Sequence, residues 1–402
     1  MLLSVCLIAK NEERFLAGCL ESVRPVADEI VLVDTGSADR TVAIAADYGC
    51  HVLHRPWDDD FSAARNAGID AARGSWILCM DADERLSNPA ALRAAILAAG
   101  PEVGGFLIER HDVVTHPEGQ TEVYPIGILR LFRNHEGIRY EGIVHERPND
   151  AVLRAGFQIA SLATLNLIHL VNHLPQDRLE EKQRRYLRLL DRELERDARN
   201  SCALYYRGKT LWYLRRLEEA ETEFRALVAG EECPLSLRAS AWCMLAALLS
   251  EKGLRSDAVD CVQESLALIP EQSLAFYVLA EILYADGHFA HALEAYQRVR
   301  LSMDPDGGLS QVPGDLCMTR EKRAYKLGCC HLALGDLEAA ESRFREGLNA
   351  NPGHSGCHYG LARVALLRDD RAGAVERLET ALRHDPAWKA PRELLASLRA
   401  GE

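Results

Sequence analysis

The chain has 402 residues and a formal net charge of −13 at pH 7. This length allows two or three domains, each with its own core. The negative charge argues against nonspecific nucleic-acid binding as a main role, and no apolar run approaches the roughly 20 residues of a membrane span. The first ten residues lack a basic segment and a small-residue cleavage site, so they predict a strand and not a signal peptide.

Strands and helices alternate in the first part of the chain. This alternation predicts right-handed βαβ units and a mostly parallel sheet. From Gly104 onward the pattern changes to strands and loops, which we expect to extend the sheet into a mixed one. The predicted strands are 2–9, 29–34, 50–54, 76–80, 105–109, 128–132, 142–145 and 165–170, and the predicted helices are 12–22, 39–48 and 61–72.

An acidic pair follows the fourth predicted strand. The apolar run in residues 75–84, Ser-Trp-Ile-Leu-Cys-Met-Asp-Ala-Asp-Glu, ends at Asp81 and Asp83. Open α/β sheets bind ligands at the carboxyl ends of their strands, and hard divalent cations prefer oxygen ligands. The pair therefore predicts a site for a divalent cation and a nucleoside diphosphate. Solvated turn residues are the alternative interpretation, since similar triplets occur at 58–60 and 304–306 without a preceding strand.

The second half of the chain is repetitive. Residues 176–198 are densely charged with an apolar stripe, which predicts an amphipathic connecting helix after Pro175. Beyond it, small residues recur 34 positions apart and prolines end several units, as in tetratricopeptide repeats. We count five repeats, interrupted by a loop at 303–316, in an array whose concave face is suited to binding a partner.

These patterns predict three regions. They are a sheet domain at 1–174, a connecting helix at 175–200 and a repeat domain at 201–402. The 12 scattered cysteines contain no C-x-x-C pair, which favours free thiols and a cytoplasmic location. His354, Cys357 and His358 imitate a zinc cluster but have no second ligand pair at suitable spacing, so we expect no zinc site.

Several motifs occur in a fixed order along the N-terminal half. They are Cys-Leu-Ile-Ala-Lys-Asn-Glu-Glu at 6–13, the segment from Asp28 to Thr41, Trp-Asp-Asp-Asp-Phe-Ser-Ala-Ala-Arg-Asn at 57–66, the strand and acidic pair at 76–84, Leu-Phe-Arg-Asn at 131–134 and Tyr-Glu-Gly-Ile-Val-His-Glu at 140–146. With these motifs the chain resembles family 2 glycosyltransferases of the GT-A fold. It is most similar to the subgroup with C-terminal tetratricopeptide repeats, which includes sublancin S-glycosyltransferases, and the resemblance covers nearly the whole chain.

The resemblance implies a fold class and an activity. The fold class is α/β plus all-α, a GT-A mixed sheet domain followed by a helical tetratricopeptide-repeat solenoid. The implied activity is inverting transfer of a sugar from a nucleotide-sugar, with a UDP-sugar as the donor. The repeats suggest a peptide or protein acceptor, whereas the sugar, the acceptor atom and the oligomeric state stay open.

The resemblance also implies roles for residues at the donor site. Asp83, together with Asp81, would hold Mg²⁺ or Mn²⁺. Ala9, Lys10 and Asn11 would line the nucleotide pocket, Asp34 would contact the base or ribose, and Arg65 would contact the nucleotide. A turn with residues 35–37 is the alternative for Asp34, and a surface ion pair is the alternative for Arg65.

A second group of residues would act near the acceptor. His145 is a candidate metal ligand or proton relay, and Glu146 is a candidate general base. His169 is either a further metal ligand or a core histidine. Asp60 is either part of the donor pocket or a helix N-cap, and Glu84 is either a shell residue of the site or the N-cap of the next turn. Three arginines either counter the charge of the diphosphate or stabilise a loop: Arg130, Arg133 and Arg139.

Two other functions compete with sugar transfer. In the first, the repeats form a scaffold and the glycosyltransferase-like domain is degenerate. The presence of Asp34, Arg65, Asp81, Asp83 and His145 argues against that. In the second, the protein is a nucleotidyltransferase, but the segment after the first strand, Ala-Lys-Asn-Glu-Glu, is not the Gly-rich basic loop that such an enzyme needs.

Overall fold

The computed structural model describes residues 1–115, 121–172, 176–230, 232–301 and 318–400. The chain divides into two compact units, Met1–Cys233 and the described residues from Pro234 onward. The predicted boundary at residue 200 therefore falls inside the first unit. The predicted loop at 303–316 and Pro175 lie outside the described residues. Within those residues no helix is both long and apolar enough to cross a membrane.

The first unit is built on an eight-stranded mixed sheet of order β3-β2-β1-β4-β7-β6-β8-β5. The first four strands of this order are parallel. β7 runs antiparallel to both β4 and β6, β8 runs parallel to β6, and β5 runs antiparallel to β8. The strands are β1 Leu3–Ala9, β2 Glu29–Asp34, β3 His51–His54, β4 Trp76–Asp81, β5 Glu84–Leu86, β6 Val103–Thr115, β7 Thr121–Arg133 and β8 Gln158–Asn172.

The parallel strands are apolar because both faces of the sheet are covered. Leu78 and Met80 of β4 pack in one core cluster, whereas Ile77 and Cys79 pack in the other. Such double burial gives the nearly continuous apolar runs seen in the sequence. The helices of this unit are α1 Leu16–Val23, α2 Thr41–Asp47, α3 Phe61–Ala71, α4 Pro89–Ala98, α5 Asn149–Arg154, α6 Gln176–Arg196, α7 Ser201–Tyr213 and α8 Leu217–Ala229.

One predicted strand is wrong. Residues 142–145 form a loop, closed by a single bridge between Glu141 and Arg147. Gly142 and His145 have φ angles of 94° and 57°, in the left-handed region. A strand needs extended backbone at every residue, so these two positions exclude it.

The second unit consists of paired helices. The pairs continue the repeat that begins with α7 and α8, so the predicted fold class, a mixed α/β sheet domain followed by helical repeats, is confirmed. Small residues permit the close helix contacts: a Cβ added to Gly328 would lie 2.5 Å from Cε1 of Phe344. The helices are α9 Leu235–Glu251, α10 Arg255–Leu268, α11 Ser273–Ala285, α12 Phe289–Arg298, α13 Arg320–Ala333, α14 Leu337–Ala350, α15 Ser355–Leu367, α16 Arg371–His384 and α17 Lys389–Ala400.

Candidate active site

Three adjacent parallel strands end at one edge of the sheet. Ala9 of β1 pairs with Asp34 of β2, and Ile8 of β1 pairs with Asp81 of β4. The carboxylates of Asp34 and Asp81 therefore flank the end of β1. Ligands of open α/β sheets bind at this edge.

Asp34 accepts several hydrogen bonds in a tight turn. Its Oδ1 accepts from the Ser37 N–H at 3.0 Å, and its Oδ2 lies 3.3 Å from Nδ1 of His54. Burial favours the neutral acid, but the hydrogen bonds from Ser37 and His54 outweigh it and hold the pKa of Asp34 below its usual value. Asp34 is thus an anion fixed in the turn that the sequence suggested, and its contact with a base or ribose stays a prediction.

The segment after β1 is tied to the same turn. Asn11 adopts a φ of 58°. Its N–H donates to Oγ of Ser37 at 3.0 Å, and its Oδ1 accepts from the Ala38 N–H at 2.8 Å. Ala9 is buried and Lys10 is exposed. The loops after β1 and β2 therefore form one connected rim beside Asp34.

Asp81 is held by two arginines. Nη2 of Arg65 donates to Oδ1 of Asp81, and Nη2 of Arg130 donates to Oδ2, each at 2.7 Å. Arg65 is 5% exposed and Arg130 is 8% exposed. Burial opposes ionisation of Asp81, but the two guanidinium groups outweigh it and keep its pKa well below the usual value. Both oxygens of this carboxylate are therefore engaged within the protein.

Arg65 connects Asp81 to Glu146. Its Nε donates to Oε1 of Glu146 at 2.7 Å, and its guanidinium carbon lies 5.4 Å from the centre of the Tyr140 ring. A surface ion pair is the wrong interpretation, because Arg65 is buried. The helix that carries it begins with Asp60 as N-cap, whose Oδ1 accepts from the Ala63 N–H at 2.9 Å.

Glu84 lies beside Asp81. It is fully buried, and its Oε2 accepts a hydrogen bond from the Asp81 N–H at 2.9 Å. Its Oε1 lies 3.8 Å from the guanidinium groups of Arg110 and Arg130. Burial raises the pKa of Glu84, and the charge of Asp81 adds to that effect while Arg130 opposes it. The role as N-cap of the next turn is wrong, because Glu84 follows the turn at 82–83 and begins β5.

Asp83 lies next to a histidine on another strand. Nε2 of His169 is 3.3 Å from Oδ2 of Asp83, and its Nδ1 is 2.8 Å from Oδ1 of Asp112. Arg110 holds Asp112 through two hydrogen bonds of 2.7 and 3.0 Å. Burial disfavours protonation of His169, but its contacts with Asp112 and Asp83 raise its pKa to about 9. Sequence reasoning missed Arg110 and Asp112.

The donor set at Asp83 fits a divalent cation only in part. One carboxylate and one imidazole suit Mn²⁺ more closely than Mg²⁺, which prefers oxygen ligands. The imidazole of His169 would have to lose its proton to coordinate the cation. Asp81 fits poorly as a ligand because its two oxygens are bound to arginines. Within the described ranges no three acidic, histidine or cysteine side chains are arranged to hold a metal ion. Phosphate and water oxygens would have to complete the coordination.

His145 is enclosed by aromatic rings. It stacks on Tyr206 of α7 at 4.1 Å between ring centres and meets Tyr186 of α6 edge to face at 5.2 Å. Burial, together with the charges of Lys209 and Lys182, lowers its pKa to about 4. His145 is therefore neutral at pH 7. Among the described residues it does not join Asp81 and Asp83 in a three-residue metal cluster.

Two other arginines stabilise loops. Arg133 donates to the carbonyl groups of Val103 and Gly100 at 2.7 and 2.8 Å. Arg139 pairs with Asp70 on the surface, where Nη2 lies 2.8 Å from Oδ1. Of the three arginines noted in this region of the sequence, Arg130 is the one that contacts the acidic pair.

Comparison with protein families identifies both parts of the chain. Residues 4–116 match the model of "Glycosyl transferase family 2", and residues 243–307 and 331–398 match tetratricopeptide-repeat models. The first unit contains a family 2 glycosyltransferase domain. The resemblance seen in the sequence is thereby confirmed, and the strand ends with Asp34 and Asp81 lie within the matched part of this glycosyltransferase domain.

Curated relatives carry similar domains. The chain is 43% identical over 151 residues to a TPR repeat-containing protein of Synechococcus elongatus, a match that covers 37% of this chain and 36% of that protein. It is 30% identical over 218 residues to the glycosyltransferase SunS of Bacillus subtilis, covering 53% and 50% of the two chains. A lipopolysaccharide core biosynthesis glycosyltransferase of Rhizobium meliloti is 30% identical over 176 residues, covering 42% and 62%. The chain thus spans less than two thirds of each of these relatives.

Proposed function

We propose that the protein transfers a sugar from a nucleotide-sugar, with UDP as the nucleotide, to an acceptor with inversion at the anomeric carbon. The observation that carries the proposal is the charged network at the sheet edge. Asp81, Arg65, Arg130 and Glu146 form buried ion pairs beside Asp83 in a family 2 domain. Perturbed, buried ionisable groups at the ligand-binding edge of a sheet are typical of active sites.

The donor side would stabilise the leaving group. Asp83 and His169 would hold Mn²⁺ or Mg²⁺, and a cation bound there would neutralise the negative charge that develops on the departing diphosphate. Asp34 would accept a hydrogen bond from the base or the ribose. The rim formed by Ala9, Lys10 and Asn11 would line the nucleotide pocket.

The acceptor side would supply a general base. In a single displacement the acceptor atom bonds to the anomeric carbon while the bond from that carbon to the diphosphate oxygen breaks. The acceptor proton must go to a nearby base, and we assign that role to Glu146, which is oriented by Nε of Arg65 at 2.7 Å. His145, neutral and enclosed by tyrosines, would support the loop that carries Glu146.

The repeats would select the acceptor. Concave helical arrays bind extended or helical segments of other proteins, so we propose a peptide or protein acceptor. The described cysteines carry free thiols, which supports a cytoplasmic location.

Donor binding tests the proposal directly. The melting temperature of the full chain is measured with UDP-, GDP- and dTDP-sugars, with and without Mn²⁺, since a ligand of the folded state raises it by mass action. We expect a Mn²⁺-dependent increase with a UDP-sugar that Asp83→Asn abolishes. Asp58→Asn is the matched control, because Asp58 is exposed and pairs with Arg55. If the folded chain responds to none of these donors, the proposed function is wrong.

A further inference from the structure

The loop that carries Glu146 has a strained backbone. We call residues 141–147 the Glu146 loop. Two of its residues, Gly142 and His145, adopt positive φ angles of 94° and 57°. A non-glycine residue in this region costs about 1–2 kcal/mol, so contacts from outside the loop must hold His145 in place.

The connecting helix supplies part of that support. Oε2 of Glu193, on α6, accepts a hydrogen bond from the Ile143 N–H at 2.8 Å. Its Oε1 accepts from Nδ2 of Asn200 at 3.0 Å. Glu193 is 8% exposed, and an acidic side chain so deeply buried is rare unless its oxygens are used. Ile143 and Val144 also pack in one cluster with residues of α6 and α7.

The first repeat supplies the rest. Tyr206 of α7 stacks on His145 with an angle of 14° between the rings. Nη2 of Arg147 lies 2.9 Å from Sγ of Cys202, also on α7. The C-terminal half of the Glu146 loop is therefore fixed to a helix that the repeat pattern assigns to the partner-binding array.

The other side of the loop faces the charged network. Oγ of Ser62 donates to the Gly142 carbonyl at 2.6 Å, and Glu146 accepts from Arg65, which in turn binds Asp81. A continuous series of contacts thus leads from Tyr206 and Glu193 through the loop to Asp81. The compact unit that contains the sheet also includes α6, α7 and α8.

We propose that the connecting helix and the first repeat are part of the catalytic unit, with Glu193 and Tyr206 as positioning residues that hold Glu146 against Arg65. Only the expected effect on turnover rests on the proposed function; the support that Glu193 and Tyr206 give to the loop does not. It assigns the first repeat to catalysis and leaves the remaining repeats to the acceptor. A boundary at residue 200 would separate Tyr206 from the loop that it supports.

The test uses single variants of the full chain. Tyr206→Ala removes the ring that stacks on His145, whereas Tyr206→Phe keeps an aromatic ring there. Glu193→Leu removes the oxygen that accepts from the Ile143 N–H, whereas Glu193→Gln keeps one acceptor oxygen. Tyr213→Ala is the matched control, a tyrosine of the same helix with 42% exposure. Turnover is followed as release of UDP from the UDP-sugar with water as acceptor, and loop mobility as hydrogen–deuterium exchange of residues 141–147.

The expected result is a loss of kcat without a matching loss of donor affinity. Displacing a catalytic group by about 1 Å can cost on the order of 100-fold, so we expect at least about tenfold lower kcat for Tyr206→Ala and Glu193→Leu. The Kd for UDP should stay within about threefold because no contact with the rim near Asp34 is removed. Exchange in the loop should accelerate, and Tyr206→Phe and Glu193→Gln should restore both readouts.

The inference and the proposed function fail in different ways. Unchanged kcat and unchanged loop exchange in Tyr206→Ala and Glu193→Leu would overturn the inference even if the wild-type chain turns over donor. A parallel loss in Tyr213→Ala would also overturn it, because the effect would then be general destabilisation of α7. If the wild-type chain neither binds nor turns over a donor, the proposed function fails, while loop exchange still decides whether the two residues hold the loop.

Discussion

Asp81→Asn should destabilise the protein far more than Asp83→Asn, although the two acids are two positions apart. The substitution keeps the shape of the side chain but removes the charge between Arg65 and Arg130, which are 5% and 8% exposed. Removing one partner of a buried ion pair costs about 3–5 kcal/mol. Asp81 itself is 27% exposed and Arg65 keeps Glu146, so we expect the lower end, about 3 kcal/mol.

Calorimetry of the full chain would measure this difference. For a unit of this size 1 kcal/mol corresponds to about 2–4 °C, so the transition of the first unit should fall by about 9 °C in Asp81→Asn. Asp83 pairs with His169 and its side chain is 29% exposed, and Asp58→Asn is an exposed control. Each should change stability by less than about 1 kcal/mol. A melting temperature for Asp81→Asn that matches the Asp58→Asn control would refute the reasoning.

Two further substitutions test other parts of the structure. In the folded protein the pKa of His145 is about 4, whereas in the unfolded chain this histidine has its ordinary pKa of about 6.5. Between these two values the unfolded state binds more protons, so the free energy of unfolding should fall as the pH decreases from about 6.5 to about 4. Urea titrations should show a shallower decline for His145→Gln, and identical slopes would contradict the assignment. Gly328→Ala would place a Cβ 2.5 Å from Phe344 and should cost about 1–3 kcal/mol by overpacking. A thermal melt should show this loss while UDP binding is unchanged, and an unaltered melt would contradict it.

Much of the fold could be predicted from local patterns. Apolar runs predict the buried strands β1, β2 and β4. Small residues that recur 34 positions apart predict the helix pairs, because each pair needs small side chains where its helices are in contact. The strand predicted at 142–145 failed because its apolar residues, Ile143 and Val144, pack against α6 and α7 as part of a loop. Gly142 was the one local signal of that loop.

The site could be predicted only where a residue ends a strand. Asp34 and Asp81 follow apolar runs, so their position at the sheet edge was predictable from the sequence. Asp112 and His169 are 57 residues apart and meet because β6 and β8 pair in that register, which no local pattern reports. Four consecutive charged or polar residues, Glu-Arg-His-Asp at 109–112, interrupt the apolar pattern of β6 and were the available signal. Alternate side chains share one face of a strand, which puts Arg110 and Asp112 together.

The different roles of Asp81 and Asp83 follow from where β4 ends. Asp81 is the last residue of the strand, so its side chain is fixed by the sheet and reaches Arg130 on the neighbouring strand β7. Asp83 lies beyond the strand in the turn before β5, and its carboxylate reaches His169 on β8. Alternation along a strand would place both acids on one face, but the turn separates them. The carboxylate held by the sheet neutralises buried arginines, and for that reason the proposed function assigns ligand binding to the carboxylate in the turn.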